Sequence, residues 1–103
     1  MPVTTPSLTK TDWLILNATA DDAENLEQLY RVLSTERPKA IPLSALAERV
    51  RHLVTAGLLE PVADENGQPI RADDPSCVWR AWFQMTPEGR TAWAAVDDES
   101  RLS

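Results

Sequence analysis

Between Pro42 and Glu60 a helical stripe ends on a glycine and passes into an apolar strand with no linker between them. Leu43, Leu46, Val50, Leu53 and Val54 recur at three- and four-residue spacing, the mark of one buried helix face. Pro42 suits the first turn, where its missing N–H would be unpaired in any case. Gly57 supplies the left-handed residue that stops the helix, and Leu58 continues the apolar contact. Leu58 to Ala63 then reads as a short strand. A helix of this kind must lie across a core with its apolar stripe down and its polar face up, while the chain after Gly57 starts a hairpin that covers the core's open side.

The flanking sequence supplies the rest of that core. A first helix is predicted from Ser7 or Thr9 to about Ala20, with Thr9 and Asp12 approximating a capping box around the run Trp13–Leu14–Ile15–Leu16. Asp21 and Asp22 are the N-cap candidates for a second helix, whose face is Leu26, Leu29, Tyr30 and Leu33. Pro38 and Pro42 end it. Asn66-Gly67 predicts a tight hairpin turn. Val78 to Met85 predicts a strand that sends Trp79, Ala81, Phe83 and Met85 inward and Val78, Arg80, Trp82 and Gln84 outward. Thr86-Pro87-Glu88 begins a last helix, with Ala92, Trp93 and Val96 facing in.

One hundred and three residues, 43% apolar and 25% charged, suffice for one core without staples. The expected organisation is a loose arm at 1–7, one domain at 8–96 and an acidic tail at 97–103. No internal repeat is visible. A single cysteine, Cys77, and a single histidine, His52, exclude an internal disulfide and a structural zinc site. No apolar run is long enough for a membrane span or a signal core, so a reducing, cytoplasmic setting is expected, with no membrane partner. No cofactor site is expected either. Cys77 and His52 are the only nucleophile–base pair available and sit on different elements, and no glycine-rich phosphate loop is present. The sequence therefore points away from an enzyme.

Leu53-Val-Thr-Ala-Gly57-Leu58-Leu59-Glu60 resembles the end of the recognition helix and the first wing strand of bacterial regulators of the MarR and PadR type. Phe83-Gln-Met-Thr86-Pro87-Glu88-Gly89-Arg90 resembles their last wing strand and following helix. The resemblance spans about residues 8–96. It implies an α+β winged helix-turn-helix: a three-helix core, a two-stranded wing hairpin and a C-terminal helix. In function it implies transcription regulation by binding double-stranded DNA, with the third helix in the major groove. Two departures accompany it. Thr35 to Pro42 is a long turn for this family, and the sequence stops near residue 103, short of the long terminal helices through which full MarR-type proteins dimerise. A standard two-fold operator complex is thus not implied.

Charge is divided along the chain. Net charge is −6, yet Arg31, Arg37, Lys39, Arg49 and Arg51 face only Glu36 and Glu48 between Arg31 and His52. Such asymmetry suits one face that meets anions. On the third helix, Ala45, Glu48, His52 and Thr55 oppose the apolar stripe, and Ser44, Arg49 and Arg51 flank it. The DNA reading sends Arg49, Arg51 and His52 to phosphates or guanine edges, lets Ser44 anchor a phosphate and Glu48 accept from a cytosine amine, and adds Arg37 and Lys39. The competing reading is a solvated helix face with a Glu48–Arg51 or Glu48–His52 pair. From Asp64 to Ser76 the wing offers only Arg71 against Asp64, Glu65, Asp73 and Asp74, a poor phosphate grip.

A second reading is a protein-interaction module, an adaptor or inhibitor. Trp82 and Val78 on the outer strand face, with Asp73 and Asp74, would touch a protein partner or a second copy in a homodimer. Trp13, Trp79 and Trp93 are expected in the core.

Overall fold

The computed structural model describes residues 8–36, 41–64, 66–70 and 77–96. Three helices come first: α1 (Lys10–Ala18), α2 (Leu26–Glu36) and α3 (Leu43–Thr55). A two-residue strand, β1 (Glu24–Asn25), precedes α2. After α3 come β2 (Leu59–Ala63), one helical turn α4 (Cys77–Arg80), β3 (Trp82–Met85) and α5 (Pro87–Ala94). The expected arm at 1–7 and acidic tail at 97–103 lie outside the described residues, as do Arg37, Lys39, Arg71, Asp73 and Asp74.

Local chemistry sets the helix ends. Thr9 and Asp12 form a complete capping box: the Asp12 amide donates to Thr9 Oγ1 at 3.1 Å, and the Thr9 amide to Asp12 Oδ2 at 3.2 Å. The cap of α2 is Asn25, not Asp21 or Asp22. Its Oδ1 accepts from the Gln28 amide at 2.9 Å, while Gln28 Oε1 accepts from the Asn25 amide at 3.5 Å. At the end of α3 the Leu58 amide donates to Leu53 O at 2.9 Å and the Gly57 amide to Val54 O at 3.0 Å. That is the two-bond C-terminal motif that needs a left-handed residue, and Gly57 has φ +80°.

The sheet has three strands rather than the two expected, in the order β1-β3-β2 and antiparallel throughout. Asn25 faces Trp82 and Glu24 faces Phe83 across one ladder; Leu59 faces Met85 and Glu60 faces Gln84 across the other. The register slips between Pro61 and Ala63, so Val62 is extra and stands out in solvent. The core fills the space between the sheet and the helices with Ile15, Leu16, Leu29, Leu33, Leu46, Val50, Leu53, Val78 and Phe83. Trp13 and Trp93 are half-buried and pack against it, while Leu43 and Val54 sit at the margins of the α3 stripe rather than inside it.

Two expectations about the wing fail, for one physical reason each. The Asn66-Gly67 turn is not the two-residue type, which needs positive φ at both residues. Gly67 has φ +79°, but Asn66 does not share it. Asp64 organises the turn instead, its Oδ1 accepting from the Asn66 and Gln68 amides at 2.8 and 2.9 Å. The strand expected from Val78 starts only at Trp82, because residues 77–80 form a helical turn. Strand alternation therefore fails upstream of Ala81. Val78 turns into the core at 1% exposure and Trp79 turns out at 53%.

Candidate nucleic-acid interface

The third helix rests on Leu46, Ala47, Val50 and Leu53, all buried. A 100° step per residue then raises Ser44, Glu48, His52 and Thr55 on the far side, and all four are exposed. Ala45 and Arg51 are half-exposed at the edges of this face. Residues three and four apart share a helix face, so Glu48 and Arg51 meet: an Arg51 Nη1 donates to Glu48 Oε1 in an exposed ion pair. The face is polar, carries donors and acceptors, and is nearly neutral.

Arg49 belongs elsewhere. Its side chain turns back to α1, where Nε donates to Asp12 Oδ1 at 2.8 Å and Nη2 to Asp12 Oδ2 at 2.6 Å. The Asp12 carboxylate is 1% exposed, and this hydrogen-bonded partner raises the Arg49 pKa above its ordinary value. A guanidinium held at two points by a buried carboxylate is a tie between helices. The sequence expectation that set Arg49 beside Arg51 and His52 as a DNA contact had no means of seeing a partner 37 positions away.

The other described arginines also have protein partners. Arg31 pairs with Glu27 at 2.7 Å on the surface of α2. Arg80 reaches Asp64 at 3.6 Å. Arg90 donates to Ala20 O at 2.7 Å and lies 5.9 Å from the Trp93 ring centroid. Exposed pairs of this sort are worth little and exchange readily with other anions. Asp64 is held below the ordinary aspartate range chiefly by its bonds from the Gln68 and Asn66 amides, with Arg80 adding to them.

Of the residues expected on a protein-binding surface, Val78 is buried and Trp82 is half-buried in β3 between Asn25 and Ala63. The exposed tryptophan is Trp79. A sequence reading that entertained a helical turn before Ala81 would have found it, since Asp73-Asp74-Pro75-Ser76 is a helix-start composition as well as a break. Among the described residues no group of three or more His, Cys, Asp or Glu could hold a metal ion, and no helix is long and apolar enough to cross a membrane.

Three helices, a strand leaving the third through Gly57, and a hairpin returning to a further helix have a counterpart among solved structures. The crystal structure of the transcriptional regulator BldR from Sulfolobus solfataricus superposes with a TM-score of 0.61 over 84% of this chain, at 22% identity. The fold is a winged helix. The match covers 51% of that regulator, so the chain spans about half its length. No protein-family model and no curated protein sequence matches the chain. At 22% identity the likeness is one of fold.

Proposed function

We propose that the chain is a DNA-binding winged helix of the transcription-regulator type, without catalysis of its own, working in the cytoplasm with α3 in the major groove. One observation carries the reading: α3 holds Ser44, Glu48, Arg51 and His52 on its solvent face, above a buried stripe, in a fold shared with a transcriptional regulator. The major groove admits an α-helix and gives each base pair its own donor and acceptor pattern. Arg51 supplies the donors that guanine O6 and N7 accept, Glu48 the acceptor for a cytosine amine, and His52 a third polar tip one turn from Glu48. Ser44, in the first turn, suits a phosphate. Arg49 contributes by fixing the angle of α3 against α1 rather than by touching the duplex. Arg37, Lys39 and Arg71 remain candidates for backbone contacts.

A helix face so sparing in free positive charge implies base contacts with few phosphate contacts. Each phosphate neutralised adds nearly one unit to the salt slope. Two or three such contacts imply a loss of affinity of about tenfold to fortyfold between about 50 and 200 mM salt, against 10³ or more for proteins with six to ten. Fluorescence anisotropy on a labelled mixed-sequence duplex at those two salt concentrations tests this. Binding with a shallow salt slope is expected; absence of binding at the lower salt refutes the reading.

A further inference from the structure

Trp79 stands 53% exposed and Leu43 42% exposed, and both border an apolar hollow of about 300 Å³ whose floor is Leu26 and Tyr30. A second hollow of about 210 Å³ continues it on the other side of Trp79, past Asn25 and Trp82 to Arg80. Leu26, Glu27 and Trp79 line both. Volumes near 300 Å³ are at the lower limit for small-molecule sites and suit the insertion of a side chain better than a cofactor. The groove lies at the start of α3, more than a helical turn from Glu48 and His52.

We infer that this groove is where two copies of the chain dock on each other, Trp79 of each entering the hollow of its partner. A two-fold interface uses one patch twice, so the patch must be complementary to itself. This one is. It presents a projecting indole beside an apolar seat; Arg80 lines the hollow on one side of Trp79 alone, while Glu27 reaches across to edge the apolar seat as well. Insertion of Trp79 brings Arg80 of one copy to Glu27 of the other. Among the described residues Arg80 has a loose partner, Asp64 at 3.6 Å, and Glu27 is paired on the open surface, so both can exchange. Two chains of net charge −6 repel one another, and the described charges at this patch, Glu27 with its partner Arg31 and Arg80 beside Trp79, do not add to that repulsion. The inference is independent of DNA binding.

Sedimentation velocity on the full chain, from low micromolar to near-millimolar concentration, is the test. Wild type is expected to pass from monomer to dimer over that range, and Trp79→Ala to stay monomeric with an unchanged far-UV spectrum. Glu27→Arg alone and Arg80→Glu alone are each expected to lose the dimer, because each sets like charges at both contacts. An equimolar mixture of those two variants restores opposite charges at both contacts and is expected to dimerise. A wild-type monomer throughout, a Trp79→Ala dimer as tight as wild type, or a mixture that stays monomeric would overturn the inference.

Discussion

Arg49 on α3 and Asp12 on α1 form a two-point hydrogen-bonded ion pair, at 2.8 and 2.6 Å, with the carboxylate sealed from solvent. The same carboxylate accepts the Thr9 amide at the start of α1, so one residue caps its own helix and anchors another. Loss of one partner from a buried pair strands the other charge, at a cost of about 3–5 kcal/mol. Because the Arg49 side chain is a third exposed, about 2–3 kcal/mol is expected for Arg49→Ala. Chemical denaturation checks this. The double variant Asp12→Leu with Arg49→Met is expected to lose less than the sum of the singles, since no charge is left unpaired. A cost under about 0.5 kcal/mol for Arg49→Ala would contradict the anchoring role.

Thr86 joins three elements through one side chain and one amide. Its hydroxyl donates to Gly57 O at 2.6 Å and accepts the Gly89 amide at 2.9 Å, and its own amide donates to Leu58 O at 3.1 Å. The helix that starts there comes so close to the backbone entering β2 that a Cβ on Gly89 would meet Leu58 O at 2.0 Å. Backbone cannot yield as a side-chain tip does. Gly89→Ala is therefore expected to cost about 3 kcal/mol or more, at the upper end for overpacking. Thr86→Ala is expected to cost about 1–2 kcal/mol through the lost cap. Thermal melts followed by circular dichroism measure both; a Gly89→Ala protein as stable as wild type would disprove the close approach.

Glu24 on β1 is held above the ordinary glutamate range, first by burial and then by the Asp22 carboxylate. The folded chain thus takes up this proton more readily than the unfolded chain. Relative to the protonated state, stability is intact below the unfolded pKa of about 4.3 and is lost as pH rises through the folded value. Glu24→Gln is expected to be more stable than wild type at pH 7 by roughly a few tenths of a kcal/mol, since water screens the part-exposed group. The two proteins are expected to converge near pH 4. Urea midpoints at several pH values decide it, and a variant less stable than wild type at pH 7 would reverse the sign.

Asp64 has the opposite shift. Its bonds from the Asn66 and Gln68 amides stabilise the turn above the unfolded aspartate pKa, and that contribution is lost as pH falls through the lower folded value. Asp64→Ala is expected to lower the melting temperature at pH 7 and to make little difference in strong acid. Equal destabilisation at both pH values would contradict an ionised Asp64 as the turn's organiser.

Features written in adjacent residues could be read from the chain alone. The Thr9–Asp12 box, the Gly57 stop and the Thr86-Pro87 start are such features, because cap and partner lie within three or four positions. Asn25 and Gln28 have that spacing too, but the paired aspartates at 21 and 22 are equally good cap residues and lie nearer the first helix. A two-residue strand such as β1 is too short for any alternation to be visible. Residues 78–85 have strand composition throughout, and the helix-start composition of Asp73-Asp74-Pro75-Ser76 reads equally as a break. A helical turn at 77–80 therefore competes with four more strand residues at 78–81; packing of Val78 in the core decides it. On α3 the exposed face followed from periodicity, whereas the Arg49 partner depended on how α1 crosses it.

Amide chemical shifts, recorded while an unlabelled duplex is added to isotope-labelled protein, give the sharpest decision on how the molecule works. The largest shifts are expected along α3 at Ser44, Glu48, Arg51 and His52, with Leu26, Glu27 and Tyr30 in the Trp79 groove unmoved. A spectrum that does not change, or one whose changes gather around Trp79 and leave α3 silent, would contradict a DNA-reading third helix.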